Sequence, residues 1–251
     1  MWSETLGHCD YRPPYLPQFF SDVARAIPLL GHEALLDLGC GTGEVAFGFA
    51  PHVGSLAGLD AELPMLEAAR ERARLRGIAI RLVHAKAEEA SLDLGAFHLI
   101  TIGQAHWFMH SPATRARIER WLLPGGHVLI CRPLARAAGG ATWHDEFRAI
   151  RNRWARGDLA ARMRIGADEF FTGTDFRQLR QIVTMAERRV ELEDLIHRAL
   201  GTPSTSRAIL GADADAMIAE IRERLGPYFR NGPLVEQLGT AGLLYRRRGD
   251  G

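Results

Sequence analysis

The chain has 251 residues, which is long enough to bury a full core in one large domain or two small ones. Its 47% apolar and 24% charged residues are typical of an ordinary soluble globular protein. With 31 basic and 30 acidic residues, there is no general electrostatic reason to expect a nucleic acid as partner.

Short apolar runs of strand character alternate with helical patterns through the first half of the chain. The runs that predict strands lie at 34–38, 55–60, 78–85, 97–103 and 126–133. Helical patterns begin at Glu44, at Leu63 and at Pro112, and the second of these ends at Gly77. Because strands separated by such helices pair in parallel through right-handed crossovers, this half predicts a doubly wound α/β sheet.

The pattern changes after Pro133. Residues 139–176 read as helices with large aromatics, placed beside the carboxyl edge of the sheet, where ligands bind in such folds. Strand character returns at 179–192 and 236–248, with helical patterns between them. We therefore predict one domain, 1–251, composed of an N-terminal lid segment 1–30, a cofactor-binding core 31–133, a helical cap 139–176 and C-terminal strands and helices 177–248.

Two further features of the sequence bear on compartment and metals. The N-terminus has no basic region followed by an apolar run, and every long apolar stretch is interrupted before ~18 residues, so neither a secretion signal nor a spanning helix is predicted. The cysteines Cys9, Cys40 and Cys131 are far apart and have no metal-ligand spacing. The expectation is a cytoplasmic protein with reduced thiols and no metal.

A glycine-rich turn follows the first strand. Gly39, Gly41 and Gly43 have no Cβ, so they allow positive φ and let a ligand approach the main chain. The helix that begins near Gly43 directs free N–H groups and a partial positive charge to the same place. Asp60 ends the second strand, where its carboxylate can accept two hydrogen bonds from ribose hydroxyls.

The residues alone leave the cofactor open between two classes. The segment GTGEVA, 41–46, also satisfies the dinucleotide form G-x-G-x-x-A, which would indicate NAD. Two features favour a cationic ligand instead. The motif begins at residue 35, which leaves an N-terminal segment to close over the site, and the carboxylate of Asp37 just before the glycines would repel a pyrophosphate.

At this point a family resemblance is visible in the order of the motifs. LLDLGCGTGEVAFGFA (35–50) resembles motif I of class I S-adenosylmethionine-dependent methyltransferases, and LAGLDAELPMLEAAR (56–70) resembles their next motif. The segments 85–108 and 117–130 resemble the region of the fourth strand and the helix and turn before the fifth. The similarity runs from about Tyr11 to Arg247 and indicates the bacterial small-molecule, methyltransferase type 11-like group.

The resemblance implies a seven-stranded Rossmann-like sheet whose last strand is antiparallel, with S-adenosylmethionine (SAM) as cofactor and S-adenosylhomocysteine as product. It implies that the three glycines line the methionine moiety and that Asp60 takes the ribose hydroxyls, and Asp37 is counted with them among the cofactor-binding residues. The other cofactor residues that it implies are Ala87 and Glu88 at the adenine, Gln104 near the sulfonium, and Tyr11 and Arg12 at the carboxylate. Two positions depart from the family pattern: Lys86 stands where an acid is often found, and GQAHWF is one residue shorter than the common GQAxHWF.

SAM carries its own leaving group, so the protein must mainly hold the nucleophile in line and exclude water. A general base is needed only for a nucleophile that is protonated at working pH. His106 and His110, which follow strand four, are the candidate bases, and His106 is the better one because this loop faces the methyl group in the family fold. The candidate substrate contacts are Trp107, Trp143, His144, Phe147 and Phe171.

We therefore predict a monomeric or homodimeric methyltransferase that acts on nitrogen or oxygen of a small organic acceptor in secondary-metabolite biosynthesis, with no nucleic-acid or membrane partner. Three alternatives stay open. The first is a C-methyltransferase of a quinone-like ring, and the second is a catalytically silent SAM-binding protein. The third is an NAD-dependent oxidoreductase, although the sequence has no Tyr-x-x-x-Lys because its sole lysine is Lys86.

Overall fold

Seven strands form one mixed sheet in the computed structural model, which describes residues 7, 11–91, 93–138, 142–157 and 166–248. The strands are β1 (Ala34–Leu38), β2 (Ser55–Asp60), β3 (Arg81–His84), β4 (Phe97–Gly103), β5 (Leu122–Ala137), β6 (Phe176–Val190) and β7 (Leu234–Arg247). Their order is β3-β2-β1-β4-β5-β7-β6, and the last strand is antiparallel. The predicted doubly wound, seven-stranded sheet is confirmed.

Helices connect most of these strands. They are α1 (Pro17–Ala26), α2 (Glu44–Phe49), α3 (Leu63–Arg76), α4 (Pro112–Trp121), α5 (Trp143–Trp154), α6 (Leu192–Leu200), α7 (Arg207–Leu210) and α8 (Asp213–Leu225). α3 ends at Gly77, which adopts the left-handed conformation with φ 65°, as the sequence predicts. α4 begins after Ser111, whose hydroxyl accepts a hydrogen bond from the Thr114 N–H at 3.1 Å and so caps the helix. In the described ranges, no helix is both long and apolar enough to cross a bilayer.

The register of the parallel strands places the functional residues at one edge. In β1, Leu36 lies between Ala57 of β2 and Ile100 of β4, and Asp37 lies between Gly58 and Thr101. Since parallel strands end at the same side of a sheet, the turn after β1 and the residues that follow β2 and β4 are brought to a common edge.

Two compact units can be distinguished in the chain, and each is described by itself. The sheet unit comprises Tyr15–Arg132, Arg164–Thr184 and Thr240–Gly251, and the helical unit comprises Met1–Pro14, Pro133–Met163 and Met185–Gly239. The core of the sheet unit includes Leu36, Leu38, Ile100, Trp121 and Val128, all fully or almost fully buried. The core of the helical unit is formed by apolar faces of α5, α6 and α8, including Phe147, Leu195, Met217 and Ile221.

Helix α1 is a feature that the sequence analysis treated only as part of a lid. It buries Phe19, Phe20, Val23 and Ala24 within the sheet unit. The Phe20 ring packs edge-on against Phe49 with centroids 5.0 Å apart. Residues 17–26 are therefore part of the packed core of that unit.

The predicted cap is helical over α5, whereas residues 167–175 form turns and bends before β6. Residues 139–141 and 158–165 of the predicted cap lie outside the described residues. So do residues 1–6 and 8–10 of the predicted lid segment, which include Cys9, and residues 92 and 249–251. Cys40 and Cys131 are buried free thiols. The division into lid, core and cap stays a prediction.

Candidate functional site

The glycine turn after β1 has the conformation that its sequence predicts. Gly39, Gly41 and Gly43 have φ values of 67°, 53° and 88°, which side chains with a Cβ rarely adopt. The N–H groups of Gly39 and Cys40 both donate to the carbonyl oxygen of Leu59, at 2.8 and 3.0 Å. These bonds fix the turn against the end of β2.

The glycines differ in what surrounds them. A Cβ on Gly39 would lie 2.6 Å from the Cβ of Ala105 and 3.1 Å from Cε of Met109, so the loop after β4 packs directly on this position. A Cβ on Gly41 would have no other atom within 4 Å. Gly39 thus serves close packing, while Gly41 borders open space in which a ligand can reach the backbone.

Asp60 is held beside this open space. Its Oδ2 accepts from the Gly41 N–H at 2.8 Å and its Oδ1 accepts from the Glu62 N–H at 2.9 Å. The backbone carbonyl of Asp60 also accepts from the N–H of Ala85, which follows β3, at 3.1 Å. Burial raises the pKa of the Asp60 carboxyl, while the two backbone donors oppose that shift. Each carboxylate oxygen keeps a further lone pair, so the geometry fits a ribose diol.

Asp37 lies beneath the turn and is 1% exposed. Its Oδ1 accepts from the Thr101 hydroxyl at 2.7 Å and its Oδ2 accepts from the Ala46 N–H at 3.2 Å. Burial raises the pKa of the Asp37 carboxyl to about 7, since the desolvation cost exceeds the gain from these bonds, and the charge of Asp60 adds to the rise. Because both oxygens have partners within the protein, the influence of Asp37 on a ligand is electrostatic, and its cofactor-binding role stays a prediction.

Gln104 follows β4 in an unusual backbone conformation. Its φ of 53° is the one positive value among the non-glycine residues that the structure describes. The Gln104 N–H donates to the carbonyl of Cys131 at 3.1 Å. Such strain is typical of functional sites, where the surrounding structure holds a residue in a set direction.

Tyr15 is a residue of this site that the sequence analysis missed. A Cβ on Gly103 would lie 2.8 Å from the Tyr15 hydroxyl, and the Gln104 side chain is near enough to this phenol to lower its pKa. Burial is the main cause that raises the pKa of the Tyr15 phenol well above its usual value. The signal was available, because Tyr15 ends the same DYRPPY segment in which we singled out Tyr11 and Arg12.

The two candidate bases differ in environment. His106 is 4% exposed, and its ring packs edge-on against Trp107 with centroids 4.5 Å apart. His110 is exposed, with its ring 5.7 Å from that of Phe170. Trp107 is also buried, and within the described residues its indole Nε1 has no hydrogen-bond partner. The catalytic roles of the two histidines and the substrate role of Trp107 stay predictions.

The predicted adenine contacts lie after β3. Ala87 is buried in the core of the sheet unit and Glu88 is half-buried. Lys86, which stands where the family often has an acid, is exposed and pairs with Glu89 through Nζ and Oε1 at 2.9 Å. The adenine assignment is not tested by these contacts.

Several other candidates belong to the helical unit. The Tyr11 ring stacks on His197 with centroids 4.2 Å apart, and Arg12 donates from Nε and Nη2 to the Gly201 carbonyl at 3.0 and 2.7 Å. Trp143 and Phe147 are each 1% exposed and pack in the core of the unit.

His144 is half-buried, and burial lowers the pKa of its imidazole. Phe171 belongs to the sheet unit, where it stacks on Phe176 at 4.4 Å. The cofactor and substrate roles assigned to all of these residues stay predictions. Within the described ranges, no group of three or more His, Cys, Asp or Glu side chains could hold a metal ion.

Comparison with known proteins finds similarity to methyltransferases within the sheet unit. Residues 35–126 match the family model described as a methyltransferase domain. Nocamycin O-methyltransferase of Saccharothrix syringae is 33% identical over 129 residues, which are 47% of this chain and 45% of that protein. Demethylmenaquinone methyltransferase of Thermus thermophilus is 29% identical over 134 residues, 50% of this chain and 61% of that protein. The chain thus matches about half the length of these curated relatives.

Solved structures agree on the fold. A protein from Anaeromyxobacter dehalogenans described as a type II methyltransferase superposes with a TM-score of 0.67 at 22% identity, covering 93% of this chain and 97% of that one. A SAM-dependent methyltransferase from Thiobacillus denitrificans, solved with S-adenosylhomocysteine, gives 0.56 at 18% identity, covering 98% and 97%. The resemblance seen in the motifs is confirmed over residues 35–126, which match a methyltransferase domain, and the fold is shared with SAM-dependent methyltransferases, whose cofactor is SAM.

Proposed function

We propose that the protein transfers the methyl group of SAM to oxygen or nitrogen of a small organic acceptor in secondary-metabolite biosynthesis. The observation that carries the proposal is the Asp60 carboxylate, fixed by the Gly41 and Glu62 N–H groups beside an open backbone turn. The name of the Saccharothrix syringae relative, an O-methyltransferase, supports oxygen as the acceptor atom.

The residues of the sheet unit suit the cofactor in shape and in charge. Asp60 would accept hydrogen bonds from the ribose hydroxyls, and the exposed backbone at Gly41 would contact the amino-acid portion. The Asp37 carboxyl, whose pKa is about 7, is stabilised in its charged form by a nearby cation, so it favours a cation near the turn over a pyrophosphate. When bound, SAM supplies a methyl group activated by an adjacent sulfonium, so the protein need not generate an electrophile.

The loop after β4 would orient the acceptor. The backbone of Gln104 is held by the Cys131 carbonyl, and its side chain lies beside Tyr15 at the end of β4. The buried imidazole of His106 would take the proton of a hydroxyl or protonated amine acceptor. The surrounding aromatic rings would exclude water from a closed pocket, in which positioning contributes most of the rate.

A quinone-like ring is the second candidate acceptor. The name of the Thermus thermophilus relative, demethylmenaquinone methyltransferase, favours it. The two candidates differ in the atom that becomes methylated, because a ring acceptor would gain its methyl group on carbon. NMR of the product made with ¹³C-methyl SAM separates them through the chemical shift of the new methyl group.

The test of the proposed cofactor site is Asp60→Ala. Loss of two charge-assisted hydrogen bonds should weaken SAM binding by more than ~10-fold in calorimetric titration. The matched control is Glu71→Ala, which removes an exposed carboxylate paired with Arg74 and should leave the affinity unchanged. Equal affinities for the wild type and Asp60→Ala, with circular dichroism showing both folded, would refute the ribose assignment.

A further inference from the structure

Positive charge is concentrated around one buried carboxylate in the helical unit. Glu236 is fully buried and Arg198 is 4% exposed. Arg198 donates to Glu236 from Nη1 at 2.5 Å and from Nη2 at 2.9 Å, and Arg188 reaches the same carboxylate at 3.5 Å. One carboxylate is thus already shared by two guanidinium groups.

Arg151, on α5, adds a third positive charge to this region. Its Cζ lies 5.5 Å from the ring centroid of Phe147, and its Nε is buried without a hydrogen-bond partner in the described part of the chain. No described carboxylate forms an ion pair with it. Burial, and then repulsion by Arg198, lowers the pKa of the Arg151 guanidinium to about 10.

The other charged groups nearby do not balance this charge. Arg148 is exposed and pairs with Asp145 at 2.8 Å, so that acid is already used. His144 interacts electrostatically with Glu236 and Arg198. Burial is the main cause that lowers the pKa of its imidazole, which favours the neutral form. Among the residues described, Arg188 and Arg198 share the carboxylate of Glu236, and Arg151 lies in the field of Arg198 with no carboxylate of its own. Desolvated charge without a partner is unfavourable, so such an arrangement points to an anion supplied from outside.

We propose that the helical unit binds the oxyanionic group, carboxylate or phosphoryl, of a small organic molecule at Arg151, within the positive field of Arg198. The guanidinium group offers a planar fork of donors that matches two oxygens of such a group. The Phe147 ring holds the Arg151 guanidinium in place from one side. The anion belongs either to the methyl acceptor, a case that rests on the function proposed above, or to a molecule bound separately.

Calorimetric titration of the full chain at low salt tests the site without any methyl transfer. The probes are malonate, benzoate and inorganic phosphate, added to the wild type, Arg151→Gln and Arg153→Gln. Arg153 lies on the same helix but is exposed and paired with Glu220, so its replacement removes the same charge outside the site. We expect saturable binding of at least one probe, at least tenfold weaker in Arg151→Gln and unchanged in Arg153→Gln. If no probe binds the wild type, or if Arg151→Gln binds like the wild type, the proposal is overturned.

Thermal unfolding gives a second readout that a purely structural arginine would not produce. Arg151→Met removes the unpaired charge. In the absence of any probe anion, its midpoint temperature of unfolding should therefore equal or exceed that of the wild type. The same change should abolish the rise in midpoint that the best probe causes in the wild type. The proposed site is contradicted if Arg151→Met has a lower midpoint temperature in the absence of anion and still shows the probe-induced rise.

Incubation with SAM distinguishes the two sources of the anion. A panel of organic acids is compared with their neutral methyl esters and amides, and product formation is followed by mass spectrometry. Methylation of acids but not of their neutral counterparts assigns the site to the acceptor, whereas binding without methylation assigns it to a separate ligand. Failure of all methylation would count against the proposed reaction and leave the calorimetric result on Arg151 intact.

Discussion

The raised pKa of the buried Asp37 carboxyl makes a quantitative prediction about stability. In the unfolded chain this carboxyl titrates near its ordinary value of 3.8, whereas in the folded protein it titrates at about 7. Between these values the folded state holds a proton that the unfolded state has released, so stability falls as pH rises. A difference of about three pH units corresponds to roughly 4 kcal/mol in the free energy of unfolding.

Asp37→Asn should remove this pH dependence. The substitution loses one acceptor for Thr101 or Ala46, which costs about 1–3 kcal/mol, but that loss does not vary with pH. Urea unfolding of the wild type and of Asp37→Asn, measured from pH 4 to pH 8, gives the difference between the two free energies of unfolding. This difference should shift in favour of Asp37→Asn by up to roughly 4 kcal/mol between pH 4 and pH 7, and then level off.

A second variant checks the cause of the shift. The Thr101 hydroxyl donates to Asp37 and thereby lowers the pKa of its carboxyl. Thr101→Val removes this donor and should raise that pKa, so the pH range over which stability falls should extend upward. Asp60 contributes a smaller slope of its own, which is present in both proteins apart from its coupling to Asp37. Parallel stability profiles for the wild type and Asp37→Asn would show that Asp37 titrates normally and would refute the reasoning.

Two further predictions concern the turn and the candidate base. Gly39→Ala should destabilise the protein by about 2–4 kcal/mol in urea unfolding, because left-handed backbone strain adds to the clash of the new Cβ with Ala105. Gly41→Ala should cost only about 1–2 kcal/mol, because its new Cβ would contact no other atom. Equal losses would mean that the contact with the loop after β4 is not tight. His106→Ala should lower turnover while SAM affinity in calorimetry stays the same, since a base acts on the acceptor; turnover that persists across the pH range would exclude His106 from that role.

The local elements of the fold were predictable because their signals lie within a few residues. The sequence predicted β1 over 34–38, β2 over 55–60 and β4 over 97–103, the bounds that the structure has. Longer strands were less well bounded. β5 was expected at 126–133 and spans Leu122–Ala137, because pairing with a neighbouring strand extends it beyond its own apolar run.

Contacts between distant segments were beyond the reach of sequence reasoning. Thr101 is 64 residues from Asp37, and Glu236 is 38 residues from Arg198, so no local pattern links either pair. Helix α1 was missed because its burial depends on partners such as Phe49, which come from a later segment of the chain.

The sequence by itself determined the glycine turn, the acid that follows β2 and the class of domain to which they belong. These features depend on backbone freedom at glycine and on the order of strands along the chain, both of which are local. The tertiary structure alone decided which carboxyl is desolvated, which arginine has no counter-charge among the described residues and which tyrosine lies beside Gln104. Burial and ion pairing depend on residues that meet only after folding, and so does the electrostatic character of each group.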